Sequence, residues 1–162
     1  MASRARNGRN RNDKAPMDAV ALLKADHRLV EDLFDKFEKA ARKDQKQKIA
    51  RQICMELTIH TIIEEEIFYP ACKDVVEGSL LDEAYVEHDG AKMLIAEISQ
   101  SAPGDMFFDA KVAVLSEEIR HHVKEEEKRS EGMFAQAKAA GLDMDALGER
   151  MMARKLELQE IL

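Results

Sequence analysis

The chain has 162 residues, 35% charged and 45% apolar, with no Trp and little Gly or Pro. That is enough for one domain with a real core, and it excludes a collagenous or wholly disordered chain. The net charge of −7 is uneven: residues 1–16 carry Arg4, Arg6, Arg9, Arg11 and Lys14 against Asp13 alone, which leaves −11 on the rest and argues against nucleic acid as the main partner.

Residues 1–16 read as a disordered, solvated basic tail. No apolar stretch follows it as in a signal peptide, and no run approaches the roughly 20 apolar residues of a membrane span. Cys54 and Cys72 form no redox or metal spacing and are read as reduced thiols, Cys54 packed within its helix. The expected location is therefore the cytoplasm.

Asp18 is the expected cap of a first helix beginning at Ala19, with Val20, Leu23, Val30, Phe34, Phe37 and Ala41 at helical spacing. Arg42–Gln45 is the first turn candidate. A second helix carries Ile49, Ile53, Leu57, Ile67 and Phe68, and Pro70 should mark its end. A third runs from about Ser79 to Gln100, with Leu81, Ala84, Ala91, Ile95 and Ile98 inward. Residues 101–105, containing Pro103 and Gly104, are the clearest loop, and Asp105 is the expected cap of a fourth helix. That helix carries Phe108, Val112, Leu115 and Ile119 and should run to Gly141. A shorter helix fits Asp143 to Leu162, with Leu147, Met151, Leu156 and Leu158 available for docking. The expected fold is all-α: an up-down-up-down antiparallel four-helix bundle over 17–141, with a short extra C-terminal helix over 142–162 on or beside it.

His27, His60, His88 and His122 fall one to a helix, each on the apolar stripe. The midpoint of each consecutive pair lies in a predicted turn, at Lys43 to Asp44, Asp74 and Asp105. In antiparallel hairpins, residues equidistant from a turn sit side by side, so the four imidazoles should share one layer. Glu64 and Glu126 follow His60 and His122 by four residues, a step of about 40° around a helix and about 6 Å along it. The halves repeat: His60 to His122 and Glu64 to Glu126 both span 62 residues, and His27 to His88 spans 61. The chain thus reads as two facing metal-binding hairpins. Burying two carboxylates among imidazoles without a cation carries a large desolvation cost. Four nitrogens and two carboxylates exceed one tetrahedral zinc site, and two ions bridged by Glu64 and Glu126 fit better. Nitrogen and oxygen donors without thiolate suit iron or manganese, with zinc as the alternative.

At Lys24–His27, His60–Pro70, Glu87–His88 and His121–Glu127 the sequence resembles the hemerythrin-like, or His-His-Glu cation-binding, family, over roughly residues 19–140. The resemblance implies two irons with an oxo or hydroxo bridge, and protein ligands at His27, His60, Glu64, His88, His122 and Glu126. Oxygen-carrying members place another His one turn after the third-helix ligand, where this chain has Lys92. The resemblance therefore implies one iron short of a nitrogen, with Tyr85, Glu56, Glu118 or solvent completing it. Glu56 and Glu118, each four residues before a ligand His, are read either as partners of the ligand imidazoles or as surface salt bridges. Lys128–Ser130 should leave this end of the bundle more polar and open. His121 lies about 100° from His122 and reads as a surface neighbour; a swapped role, with Glu125 as its partner, stays open.

The expected function is binding or reduction of a small oxidant (oxygen, peroxide or nitric oxide) for sensing or detoxification. The alternatives are iron holding or delivery without turnover, and a metal-stabilised bundle that engages a protein partner or a second copy of itself.

Overall fold

The computed structural model describes residues 17–162; the predicted basic tail over 1–16 lies outside the described residues. The described residues are helical, without strands. Four long helices, α1 (Ala19–Lys39), α2 (Lys43–Ile63), α4 (Gly78–Ser99) and α5 (Phe108–Glu127), are joined by short connections and accompanied by α3 (Tyr69–Cys72), α6 (Met133–Ala139) and α7 (Met144–Ile161). Packing runs α1 on α2, α2 on α4, α4 on α5 and α5 back on α1, so the inner faces of all four long helices meet.

The Asp18 carboxylate accepts the Ala21 N–H at 2.7 Å and so caps α1 as expected. α1 ends at Lys39, which leaves Ala41 exposed in the connection rather than on the apolar stripe. Pro70 does not end the second helix. The chain passes from α2 into a π-helical turn, Glu64–Phe68, in which the Tyr69 N–H donates to the Glu64 carbonyl, and continues as α3 to Cys72. The wider turn accommodates a proline that has no N–H to give and whose ring would crowd a regular helical turn.

Asp105 is not the cap of α5. Its carboxylate accepts the Ala102 N–H within the loop, and the residue before the helix is Phe107, at a left-handed φ of 67°. The fourth helix stops fourteen residues before Gly141, at Glu127. A tight reversal over 128–132 follows, with Ser130 at φ 59°. A Cβ at Gly132 would lie 2.4 Å from the Lys128 carbonyl oxygen, so the reversal needs glycine there. The chain then returns as α6, which packs on α5. Phe134 on α6 is buried against Phe68, so this end is filled rather than open. Asp143 caps α7, which lies on α1, α2 and the π turn. Leu147, Met151 and Leu158 dock inward, whereas Leu156 is exposed.

The buried apolar side chains form two clusters. One joins Val30, Phe34, Phe37, Ile53, Leu57, Ile95, Phe108, Val112 and Leu115 near the connections α1–α2 and α4–α5. The other joins Val20, Leu23, Ile63, Phe68, Tyr69, Leu81, Phe134 and Met151 at the opposite end. A polar layer lies between them. No helix among the described residues is long and apolar enough to cross a membrane.

Candidate metal centre

His27 on α1, His60 on α2, Glu64 at the start of the π turn, His88 on α4, and His122 and Glu126 on α5 are each at most 6% exposed. All six converge. The Glu64 Oε1 lies 2.9 Å from His60 Nε2 and 3.2 Å from His88 Nε2. The Glu126 Oε1 lies 3.3 Å from His27 Nε2 and 3.2 Å from His122 Nε2. Two ligand sets result, His27–His60–Glu126 and Glu64–His88–His122, each with donor atoms within 4.8 Å of one another. The Nε2 atoms of His27 and His60, both Glu64 oxygens and Glu126 Oε1 are fully buried without an aligned hydrogen-bond partner. Five such atoms in one spot are costly unless something satisfies them. A pair of cations would, so the donor set fits metal.

The outer nitrogens are all engaged. His27 Nδ1 is 2.8 Å from Glu127, His60 Nδ1 is 3.0 Å from Asp26, His88 Nδ1 is 3.3 Å from Glu65, and His122 Nδ1 is 2.9 Å from Glu87. Each of these acids is next in sequence to a residue of the central cluster. A neighbour on a helix is rotated about 100°, so it points toward the adjacent helix rather than the centre. The acids therefore serve imidazoles around a closed ring, α1 to α2, π turn to α4, α4 to α5, and α5 to α1. Glu56 and Glu118, expected as candidate partners, touch none of the four imidazoles among the described residues.

Other side chains hold these acids in turn. Arg28 donates to Glu127, Lys92 Nζ to Glu65 at 2.9 Å, and Lys155 Nζ to Asp26 at 2.6 Å, and His121 Nε2 lies 3.3 Å from Glu87. Lys92 thus turns its ammonium outward onto Glu65, and His121 stays at the surface.

Tyr69 was not anticipated. Its hydroxyl donates to Glu126 Oε2 at 2.9 Å and lies 3.1 Å from both His88 Nε2 and His122 Nε2. In a regular α-helix residue 69 would be about 140° from residue 64; the wider π turn brings it round to the same side. Tyr85, the candidate named from sequence, instead packs edge-on against the Tyr69 ring.

The charge balance favours positive species in the centre. Burial alone would lower the His60 pKa, but Glu64 and Asp26 outweigh it and raise it to about 10. His122 is raised well above its usual range, with Glu126 overcoming burial, and His27 is raised by Glu126 and Glu127 against the same burial. Burial pushes Glu64 up, yet the imidazoles, His60 first, hold it well below the usual carboxylate range. Protons and metal ions would compete for the same lone pairs in this site. The Cys72 thiol, buried and near both carboxylates, is pushed up to about 12, which leaves it an inert core residue.

A small cavity of about 20 Å³ adjoins the four imidazoles, walled by Val30, Leu57, Thr61, Ile119 and Val123. It has room for about one water-sized molecule.

The hemerythrin HHE cation-binding domain profile matches residues 18–134. A "DNA nickase" of Nostoc sp. is 28% identical over 116 residues, covering 72% of this chain; the match spans 33% of that protein's length. The crystal structure of a hemerythrin HHE cation-binding domain-containing protein from Mycobacterium kansasii superposes with a TM-score of 0.73 at 20% identity, covering 89% of this chain and 88% of the other. With the profile spanning α1 to α5 and reaching the start of α6, the chain belongs to the hemerythrin HHE cation-binding domain family.

Proposed function

We propose that the chain holds a non-haem di-iron centre and uses it to bind or reduce a small oxidant: oxygen, peroxide or nitric oxide. Four long helices running up-down-up-down carry the residues that would hold the metal: His27, His60, Glu64, His88, His122 and Glu126. The observation that carries this reading is the cluster of five buried, unpartnered donor atoms in two adjoining ligand sets. A set of nitrogen and oxygen donors that exceeds four disfavours zinc, and iron is preferred to manganese on the resemblance to the hemerythrin-like family.

Bound iron would supply redox chemistry and open coordination positions. The chain's own residues set the conditions. The Nδ1 partners fix the imidazoles so that Nε2 faces inward. The Tyr69 hydroxyl offers a donor, or a further ligand, beside His88 and His122. The small cavity beside the imidazoles suits a molecule of a few atoms. Lys92 provides no imidazole, so reversible oxygen carriage is not proposed.

The DNA-directed name of the Nostoc protein is not carried over, because the matching region here belongs to a body of charge −11. The test is metal analysis and an optical spectrum of protein purified in air, followed by peroxide turnover. About two irons per chain with turnover supports the reading. Iron without turnover favours holding or delivery, and a metal-free native protein overturns both.

A further inference from the structure

Three of the four side chains that hold the ring of acids come from α1, α4 and α5, and they are solvated: Arg28 is 57%, Lys92 47% and His121 66% exposed. The fourth differs in both respects. Lys155 is 17% exposed and comes from α7, beyond the residues 18–134 that the family profile matches. Its partner Asp26 is 6% exposed. An ion pair shielded in this way is screened by water and salt far less than the Arg28–Glu127 and Lys92–Glu65 pairs.

The chemistry of the contact is directional. An ammonium can only donate, so Asp26 Oδ1 accepts from Lys155 while Oδ2 faces His60 Nδ1. Asp26 is then an acceptor at both oxygens, and His60 must place its proton on Nδ1. That leaves the Nε2 lone pair facing the centre, as a metal ligand requires. With His60 neutral on a metal, Lys155 would be the full positive charge beside a buried Asp26.

α7 is placed to hold this contact. Met151 and Leu158 are buried. Gly148 lies so close to α1 that a Cβ there would be 2.3 Å from the Met17 carbonyl oxygen. Arg154 pairs with Glu66 at 2.8 Å and 3.2 Å and with Glu157 at 3.1 Å, not with Asp26.

We infer that Lys155 is a positioning residue of the metal centre: through Asp26 it fixes the tautomer and orientation of His60, making the C-terminal helix a working part of the site. This rests on His60 being a metal ligand, as proposed above.

The test uses full-length protein loaded with ferrous iron without oxygen, and follows iron loss to excess chelator. Lys155→Met should release iron about 10-fold faster or more, the scale on which partners of ligand imidazoles act. Lys155→Arg, which restores a donor-only cation, should return most of the retention. Arg154→Met should release iron at the wild-type rate, because it removes only a solvated pair. Asp26→Asn should match Lys155→Met, and the double variant should be no faster than Asp26→Asn alone; Lys155→Gln, which removes the charge but keeps a polar side chain, should also speed release and decides the matter should Lys155→Met fold poorly. Equal acceleration by Lys155→Met and Arg154→Met would mean that α7 merely loosens, and it overturns the inference. Wild-type release from a folded Lys155→Met also overturns it while leaving the iron reading intact. A wild-type protein that retains no iron removes both.

Discussion

The layer of imidazoles separates two ends of unlike construction. At the end holding Phe34, Phe37, Ile53, Ile95, Phe108 and Val112, the core comes from the four long helices alone, at regular helical spacing. At the other end those helices do not suffice. The space above the layer is filled by a π turn, α3, α6 and α7, which supply Phe68, Tyr69, Phe134, Met133 and Met151. The first end stabilises; the second also reaches into the site. Phe134 stacks on His27 at 5.9 Å, Tyr69 donates to Glu126, and Lys155 holds Asp26. Deviation from helical regularity is concentrated where chemistry is expected, as functional π turns and strained positions generally are.

The largest effect should come from the layer itself. Glu64→Ala removes the carboxylate that completes the His88–His122 set and whose Oε1 also lies 2.9 Å from His60 Nε2, and it should abolish metal retention. Glu65→Ala, one residue on, removes only the partner of His88 Nδ1 and should weaken retention without abolishing it. Metal analysis after gel filtration distinguishes them, and equal loss would show that the inward and outward faces have been exchanged.

The two ends can then be set against each other. Phe34→Ala and Phe134→Ala should each cost about 3–5 kcal/mol as large-to-small changes in a buried core. Folded Phe34→Ala should keep its iron stoichiometry, whereas Phe134→Ala should also lose iron faster, because it uncovers His27. Denaturant melts paired with iron-release rates check this; identical release would dissolve the distinction between the ends. Gly148→Ala should cost about 1–3 kcal/mol by forcing a Cβ into the α1 backbone. Trypsin should then cleave α7 earlier than the long helices.

The smallest expected effect is a slope in pH. In metal-free protein the raised His60, His27 and His122 contribute stability that is complete below their unfolded value near 6.5 and is lost as pH rises through their folded values, about 10 for His60. The lowered Asp26, Glu64, Glu87 and Glu127 contribute stability above their unfolded values, lost as pH falls through their folded ones. The thermal midpoint with chelator present should therefore decline from pH 7 to 10, and iron should flatten that decline by taking the place of the protons. A metal-free midpoint that is level over this range would contradict the sign.

What was legible in the sequence divides along the same boundary. The meeting of the four histidines followed from their equal distances to three turns, because a regular helix converts position into height. The four acids around them were missed because partners were sought four residues away, on the same helical face. They lie instead next to the central residues, in Asp26-His27, Glu64-Glu65, Glu87-His88 and Glu126-Glu127, and reach across to another helix. Those dipeptides were a visible signal. Tyr69 was less accessible, since one extra residue in the π turn changes the phase of everything after it. The end of α5 at Glu127 was hidden because Met133 and Phe134 kept the apolar pattern going across a reversal.

The two ligand sets cross the internal repeat. His27 and His60, from the first half, are completed by Glu126 from the second, while His88 and His122 are completed by Glu64 from the first. Neither hairpin is a whole chelator, although each carries a His-x-x-x-Glu segment. A single hairpin of this design would have to meet a copy of itself, exchanging carboxylates across a twofold axis, before it could hold an ion. A short ancestral peptide could thus have become a metalloprotein by dimerising, and fusing the two copies would have made that encounter permanent, freeing each half to diverge around a shared centre.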